Sequence, residues 1–269
     1  TPRVVETLKV VDLIAAEDTR NSIKLLNHFN IHTPMTSYHE YNKVEKAKQL
    51  TALLLEGKNI ALITDAGTPA ISDPGEVLVR MCREREITVT SLPGPAACIT
   101  ALTLSGLSTR RFCFEGFLPA DKKERRAVLE ELKEESRTMV LYEAPHHLVH
   151  TLEELFEVLG DRKLAVCREL TKRYETVVST TLSGALAHYR ENAPRGEYVL
   201  VLEGRSLAHK REEEIAQWQS MSIEEHMSFY LTKGMERKEA MKQVAKDRGV
   251  GKREIYQYLE CGKNGENQL

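Results

Sequence analysis

The sequence has little of what marks a secreted, membrane or metal-held protein. Its five cysteines, at 82, 98, 113, 167 and 261, are odd in number, scattered and never spaced as C-x-x-C. That pattern argues against a disulfide framework and a structural zinc site, no metal site is visible, and the setting implied is the reducing cytosol. No uninterrupted apolar run approaches the ~20 residues of a membrane span. No charged-then-apolar leader opens the chain. Positive charge is not in excess: 38 Lys and Arg face 40 Asp and Glu, a net charge of −2. A nucleic-acid partner would have to meet a local basic cluster instead. Neither G-x-G-x-x-G nor G-x-x-x-x-G-K-[ST] occurs, which weakens a dinucleotide or nucleoside-triphosphate reading.

What is present reads as alternating strands and helices. The 269 residues suffice for one large or two small domains plus an appendage. Thr1-Pro2 looks like an N-cap followed by proline at the first helical position, with Val4, Val5, Leu8 and Val11 at helical spacing. Residues 58–64 read as a strand, 65–75 as a Gly/Pro loop and 76–85 as a helix. The unit repeats with a strand at 87–92, the loop PGPAA and a helix at 96–105. Such βαβ units predict a parallel sheet, and near-continuous apolar strands predict one covered on both faces.

A composition change at 106–109 sets a domain boundary near residue 107. Beyond it the pattern predicts strands at 111–116, 138–142, 163–168 and 197–203. Helices are predicted at about 122–135, 148–159 and 183–191. From about residue 208 the chain is highly charged, with no strand-like run. Helices at 239–248 and 252–259 flank Gly249 as in a helix-turn-helix, and KNGENQL reads as a frayed tail.

Open parallel sheets bind ligands beyond the carboxyl ends of their strands. Four loops at such positions are rich in Gly, Pro or charge: 65–75, 93–97, 143–147 and 169–172. Gly67 lets the backbone turn or a ligand approach closely, and Pro69 and Pro74 stiffen the loop. Such loops are also ordinary turn punctuation, and composition alone does not name a ligand. The segments AAEDTR (15–20) and SYHEYNK (37–43) are dense in groups that move protons or contact RNA. Asp18, His39, Glu40 and Glu143 are candidates to accept a proton, and Arg20 and Lys43 to hold phosphate. Asp18, Arg20, His39 and Glu143 form the candidate catalytic set. Each has a plain structural alternative: Asp18 as a helix cap, His39 on a solvated loop, Glu40 on the surface. Lys122, Lys123, Arg125 and Arg126 form a basic patch, read either as a solvated helix face or as an RNA contact.

Taken in order, VDLIAAEDTR, SYHEYN, ITDAGTPAISDPG, SLPGPAA, FEGFLP, LYEAPHHL, CRELTK and RGEYVLVLEG closely resemble the ribosomal RNA small subunit methyltransferase I family. These are cytidine 2′-O-methyltransferases of the tetrapyrrole methylase superfamily. The resemblance covers nearly the whole chain, and ITDAGTPAISDPG is its most specific block. It implies an α/β fold: two α/β domains (1–107 and 108–206) with S-adenosylmethionine in the cleft between them, plus a small C-terminal helical module (207–269) that contacts RNA. It implies a homodimer in the cytoplasm, with no membrane partner. The implied substrate is one cytidine in the decoding region of small-subunit (16S) ribosomal RNA, within the 30S subunit.

Cofactor contacts carry over to Asp65, Ala66, Gly67, Thr68 and Ile71 in the first loop and to Ala96 and Ala97 in the second. Tyr142 matches the third loop, and Arg168, Glu169, Leu170, Thr171 and Lys172 match the fourth. Two departures stand out. The family normally begins with a strand and a T-P-I-G-N loop, absent before Thr1, and their true loss is expected to impair folding and activity. His147 stands where the family often has Arg, which weakens one phosphate contact without abolishing function. A porphyrinoid methylase of the same superfamily ranks lower because AAEDTR and SYHEYN favour the ribosomal RNA branch. A DNA-binding regulator using the terminal helices ranks lower still, since it would not need four ligand-type loops upstream.

Overall fold

The computed structural model describes residues 1–65, 67–206, 215 and 218–265, with side chains described as far as 259. It divides into two compact units, Thr1–Leu132 with Thr138–Leu202 and Lys133–Arg137 with Glu203–Leu269.

The first unit opens on α1 (Pro2–Val10), where the Thr1 hydroxyl accepts the Val4 amide and Pro2 takes the first turn. A three-stranded parallel sheet follows, formed by β1 (Leu13–Ala16), β2 (Met35–Ser37) and β3 (Ile60–Ile63) in the order β2-β1-β3. Parallel neighbours need crossovers, supplied here by α2 (Thr19–His28) and α3 (Lys43–Leu55). All three carboxyl ends therefore meet at one edge of the sheet. Ile14, Ala15 and Ala16 are fully buried, so β1 is the centre of this layer. After β3 come the Gly/Pro loop and α4 (Gly75–Glu84).

The strand predicted at 87–92 does not form. Ile87 and Val89 pack with Leu78 and Cys82 in the core of this layer, but their backbone joins no ladder. Apolar composition dictates burial, whereas a strand also needs a neighbour's N–H and C=O groups. The next helix, α5 (Ala97–Leu104), precedes residue 107 in sequence yet packs on the second sheet. Its Cys98, Ala101 and Leu102 share a core with Val140, Ala165, Cys167, Val199 and Val201.

That second sheet has the order β4-β5-β8-β6-β7, built from β4 (Phe112–Gly116), β5 (Thr138–Glu143), β6 (Lys163–Arg168), β7 (Thr176–Thr181) and β8 (Tyr198–Leu202). The parallel pairing expected of the first half holds in the first sheet, whereas this second sheet is mixed. Only β4 and β5 run parallel, and the other three pairings are antiparallel. β8 runs against both of its neighbours, so β4, β5 and β6 still end at one edge. β7 is a strand that the apolar pattern did not mark: five of its six residues are β-branched but polar or exposed, as suits an edge. The face opposite α5 is covered by α6 (Lys122–Glu134), α7 (Leu148–Leu159) and α8 (Leu182–Glu191). On α7, Leu148, Leu152, Leu155 and Leu159 fall on one stripe and are buried against Met139, Leu141 and Leu164. Burying each such side chain contributes roughly 1.5–3 kcal/mol.

The second unit contains α9 (Ile223–Thr232), α10 (Arg237–Asp247) and α11 (Lys252–Gly265). α9 was not expected. It is set by a capping box, in which Ser222 accepts the Glu225 amide while the Glu225 carboxylate accepts the Ser222 amide. Gly249, at φ +66°, turns the chain between α10 and α11. Met227, Ala240, Met241, Val244, Ala245 and Ile255 form the core of this unit. α11 continues through Gly265, so the first part of the expected frayed tail is helical, and residues 266–269 lie outside the described residues. Among the described residues no helix is long and apolar enough to cross a membrane.

Candidate active site

The loop after β3 is held from both sides. Glu17, just past β1, accepts the Thr64 hydroxyl at 2.6 Å and the Asp65 amide at 3.3 Å. Asn21 donates to the Asp65 carboxylate at 3.0 Å. Farther along, Asp73 Oδ1 accepts the amides of Ala70 and Gly75, which fixes the turn into α4. The Tyr38 hydroxyl donates to the Pro74 carbonyl at 2.9 Å, tying SYHEYN to this loop. Asp65, Gly67 and Ile71 remain exposed, so a carboxylate, a bare backbone and an apolar side chain are all presented to solvent. Ala66 lies outside the described residues.

Backbone strain marks the loops. Six non-glycine residues among those described have positive φ. Two of them, Asn30 and Glu86, follow the last turns of α2 and α4, where left-handed residues are ordinary stops. The other four are Ala70 and Ser72 in the first loop and Glu169 and Thr171 in the fourth. Residues held in such regions persist where surrounding structure over-determines them, as at ligand sites.

The first and second loops touch. Gly67, at φ +89°, is so close that a Cβ there would meet the Pro95 carbonyl oxygen at 3.2 Å. The Thr68 hydroxyl donates to the same oxygen at 3.0 Å. Beyond Pro95, the N-cap of α5 is Ala96, which has no side chain to accept the orphan amides of the first turn. Tyr142 supplies that acceptor from β5: its hydroxyl receives the Cys98 amide at 3.1 Å. Burial pushes this phenol up to about 12, so it stays protonated through neutral pH. The ring packs edge-on against Phe114 and Phe117, at 4.9 and 5.6 Å. Ala96, Tyr142 and Leu170 lie on one apolar cluster, which gathers candidates from the second, third and fourth loops. Nearby, Ser72, Phe114, Glu115, Gly116 and Phe117 line an open depression of about 330 Å³. Phe114 and Phe117 were not among the expected site residues, although FEGFLP, an aromatic pair around a glycine at a strand end, was a usable signal.

The fourth loop divides. Alternation along β6 puts Arg168 on the face of Leu164 and Val166, and its charge is felt by Tyr189 there. Leu170 instead joins the Tyr142 face. Glu169 and Lys172 close on each other at 3.0 Å, and Lys172 also reaches Glu197 at 2.8 Å. The Glu197 amide, and then Lys172, lowers the carboxyl of Glu169, while Glu197 and then Glu169 raise the amine of Lys172. The Thr171 amide donates to Glu175.

The polar candidates also separate. Asp18 caps α2, accepting the Arg20 amide at 2.8 Å and the Arg20 guanidinium at 2.8 and 3.1 Å. The guanidinium pulls the Asp18 carboxyl down to about 2. Glu143 is buried on the face opposite Tyr142, where it accepts the Thr151 hydroxyl of α7. His39 lies in the loop after β2, with Asn42 Nδ2 3.3 Å from its Nε2. Glu40 and Lys43 pair with each other. In the basic patch, Lys122, Lys123 and Arg126 are exposed, but Arg125 is not available: it binds Glu154 at 2.6 Å and Thr151 at 2.7 Å.

This arrangement, strained loops meeting at strand ends in an α/β frame, agrees with what comparison finds. The family model for Tetrapyrrole (Corrin/Porphyrin) Methylases matches residues 1–186. The "Ribosomal RNA small subunit methyltransferase I" of Halalkalibacterium halodurans is 49% identical over 94% of this chain and 87% of its own length. That of Synechocystis sp. is 46% identical over 98% and 94%. The chain belongs to the ribosomal RNA small subunit methyltransferase I family. Its fold is shared with "diphthine synthase" (TM-score 0.59, 13% identity, 76% of this chain and 84% of that one). The "methyltransferase CobJ" is similar (TM-score 0.56, 18% identity, 77% and 90%). Membership makes the chain a methyltransferase and the meeting of loops its candidate active site.

Proposed function

We propose that the chain transfers a methyl group from S-adenosylmethionine to the ribose 2′-hydroxyl of a cytidine in the decoding region of small-subunit (16S) ribosomal RNA. We take the substrate to be the 30S subunit and the enzyme to be a cytoplasmic homodimer. The observation that carries the cofactor reading is the Tyr142–Cys98 bond, on a cluster where Ala96 and Leu170 join Tyr142. The names of the relatives support the RNA substrate.

The loops fit the cofactor. An adenosine with an amino-acid tail needs backbone donors and acceptors, a stiff wall and an apolar slot. Gly67 and Ala97 expose backbone, Asp65 offers a carboxylate, and Ile71 and Ala96 offer apolar walls. Thr68, Leu170 and the Tyr142 ring complete the set, with Ala66 assigned by its place in the motif. When bound, S-adenosylmethionine would supply an electrophilic methyl group, with the sulfonium leaving as a neutral thioether. Arg168, Glu169, Thr171 and Lys172 act at a remove, shaping the fourth loop.

The weakly acidic ribose hydroxyl must be aligned and relieved of its proton. His39 is the acceptor we assign, since Asp18 is committed to Arg20 and Glu143 to Thr151. Asp18 holds Arg20 at the mouth of the site, where its exposed guanidinium meets phosphate. Residues 1–107 and 108–206 serve as the two α/β domains. Residues 207–269 serve as an RNA-contact module, with Lys252, Arg253 and the exposed Tyr256 and Tyr258 on α11.

The test is methyl transfer from labelled S-adenosylmethionine to small subunits lacking the modification, with the labelled nucleotide mapped. Label on a cytidine 2′-oxygen, lost in Asp65→Ala, supports the reading. Binding of the cofactor without transfer points to another substrate.

A further inference from the structure

The loop after β2 is built around one residue that the fold does not use. Tyr38 is anchored to Pro74. The His39 amide donates to Asn42 Oδ1 at 2.9 Å, and Asn42 Nδ2 reaches back to the Ser37 carbonyl. Glu40 is paired with Lys43. Among the described residues Tyr41 alone in this run makes no hydrogen bond or ion pair, and it is 97% exposed, the most of any large hydrophobic residue described. Its one ring contact among the described residues is edge-on with His39, at 6.1 Å.

A ring left in water by a frayed terminus would mean nothing. This one is displayed by a loop pinned at both ends, at the carboxyl edge of the first sheet, three residues from the side chain that grips the cofactor loop. Its flat face is open, and its neighbours Glu40, Asn42 and Lys43 are polar. A protein partner wants an aromatic anchor inside an apolar patch. An aromatic in polar surroundings suits an unstacked nucleobase, because every base has a π-face and its edges stay wet.

We propose that Tyr41 is a stacking platform for a nucleobase of the substrate RNA strand, holding an unstacked nucleotide at the mouth of the site. It would determine binding of the RNA and not of the cofactor. The inference rests on the ribosomal RNA reading above.

Steady-state methyl transfer to small subunits lacking the modification should be compared for wild type, Tyr41→Ala, Tyr41→Phe and Tyr41→Trp. Cofactor affinity and thermal stability are measured alongside. Loss of one base stack should raise KM for subunits about tenfold in Tyr41→Ala. Cofactor affinity and melting temperature should not move, and Phe and Trp should restore KM to within about twofold of wild type, since both keep a stacking face. An unchanged KM in Tyr41→Ala, with active wild type, overturns this proposal alone. So does failure of Phe to rescue, or a change of oligomeric state in Tyr41→Ala, which would assign the ring to a protein contact. Wild type that transfers no methyl to any subunit overturns the substrate reading and this proposal together.

Discussion

The Tyr142 hydroxyl accepts the Cys98 amide at 3.1 Å, so a strand of the second sheet caps a helix that follows the PGPAA loop. The bond does two things. It satisfies an orphan donor that Ala96 cannot, and it fixes the loop whose Pro95 carbonyl receives Thr68. Tyr142→Phe keeps the ring contacts with Phe114 and Phe117 and removes only the acceptor. Stability should fall by about 1–2 kcal/mol, the usual loss when a helix cap goes. Cofactor affinity should fall with it, because the loop loosens. Thermal melts with and without S-adenosylmethionine check both, and unchanged affinity in Tyr142→Phe would separate the cap from the site.

Gly67→Ala tests the meeting of the first two loops. At φ +89° an L-residue is strained, and the added Cβ would crowd the Pro95 oxygen. Left-handed backbone alone disfavours alanine by roughly 1–2 kcal/mol. Calorimetric titration should show S-adenosylmethionine binding weakened about tenfold or more, since 1.4 kcal/mol is tenfold, in a protein that still folds. Native affinity in Gly67→Ala would mean that the loop adapts freely and that its close approach is not a requirement of binding.

These two sites show what could and could not be read from the residues. Gly67 stood out because it lets the backbone turn or a ligand approach closely, and Tyr142 entered through the family resemblance; Pro95 was not singled out within PGPAA, because a proline in such a loop is ordinary turn punctuation. The helix over 148–159 and the strand over 163–168 were legible to the residue, because leucines recur three and four apart in the first and Lys163 and Arg168 bound a short apolar run in the second. β7 was not, since Thr176–Thr181 is an exposed edge with no apolar signal. Nor was the mixed direction of the second sheet, which is set by loop paths and not by strand composition. The split of the fourth loop could have been foreseen: Arg168 shares a face with Val166 by strict alternation. The commitment of Asp18 to Arg20, by contrast, depends on where α2 begins.

The basic patch on α6 divides into two kinds of cation. Lys122 and Lys123 are exposed, while Arg125 is bound to Glu154 and Thr151. Lys122→Glu with Lys123→Glu should weaken binding to small subunits and flatten its salt dependence, because counterion release scales with the phosphates neutralised. Melting temperature should hold. Arg125→Ala should do the reverse, lowering stability by about 1–3 kcal/mol because the partly buried Glu154 carboxylate loses its guanidinium, with the salt slope unchanged. Filter binding across a salt series, set beside thermal melts, distinguishes the two.

His226 makes the helical unit sensitive to acid. It is fully buried and stacks on Trp218 at 4.1 Å, and its Nδ1 accepts from Arg248 at 3.2 Å. Asp247 lies 3.4 Å from Nε2 and is shared with Tyr230 and Gln243. Burial, then the Arg248 guanidinium, lowers the imidazole below its ordinary value of 6.5, and Asp247 opposes this only in part. The folded unit therefore holds fewer protons at this site than the unfolded chain. The stability this contributes is complete above pH 6.5 and is lost as pH falls through the lowered folded value, at no more than about 1.4 kcal/mol per pH unit. Trp218 is the only tryptophan in the chain, so its emission follows this unit alone. Urea titrations read by tryptophan emission should show the midpoint falling between pH 7 and pH 5. In His226→Phe, which keeps a ring on Trp218 but cannot titrate, that pH dependence should shrink. An equal fall in both proteins would place the acid sensitivity elsewhere.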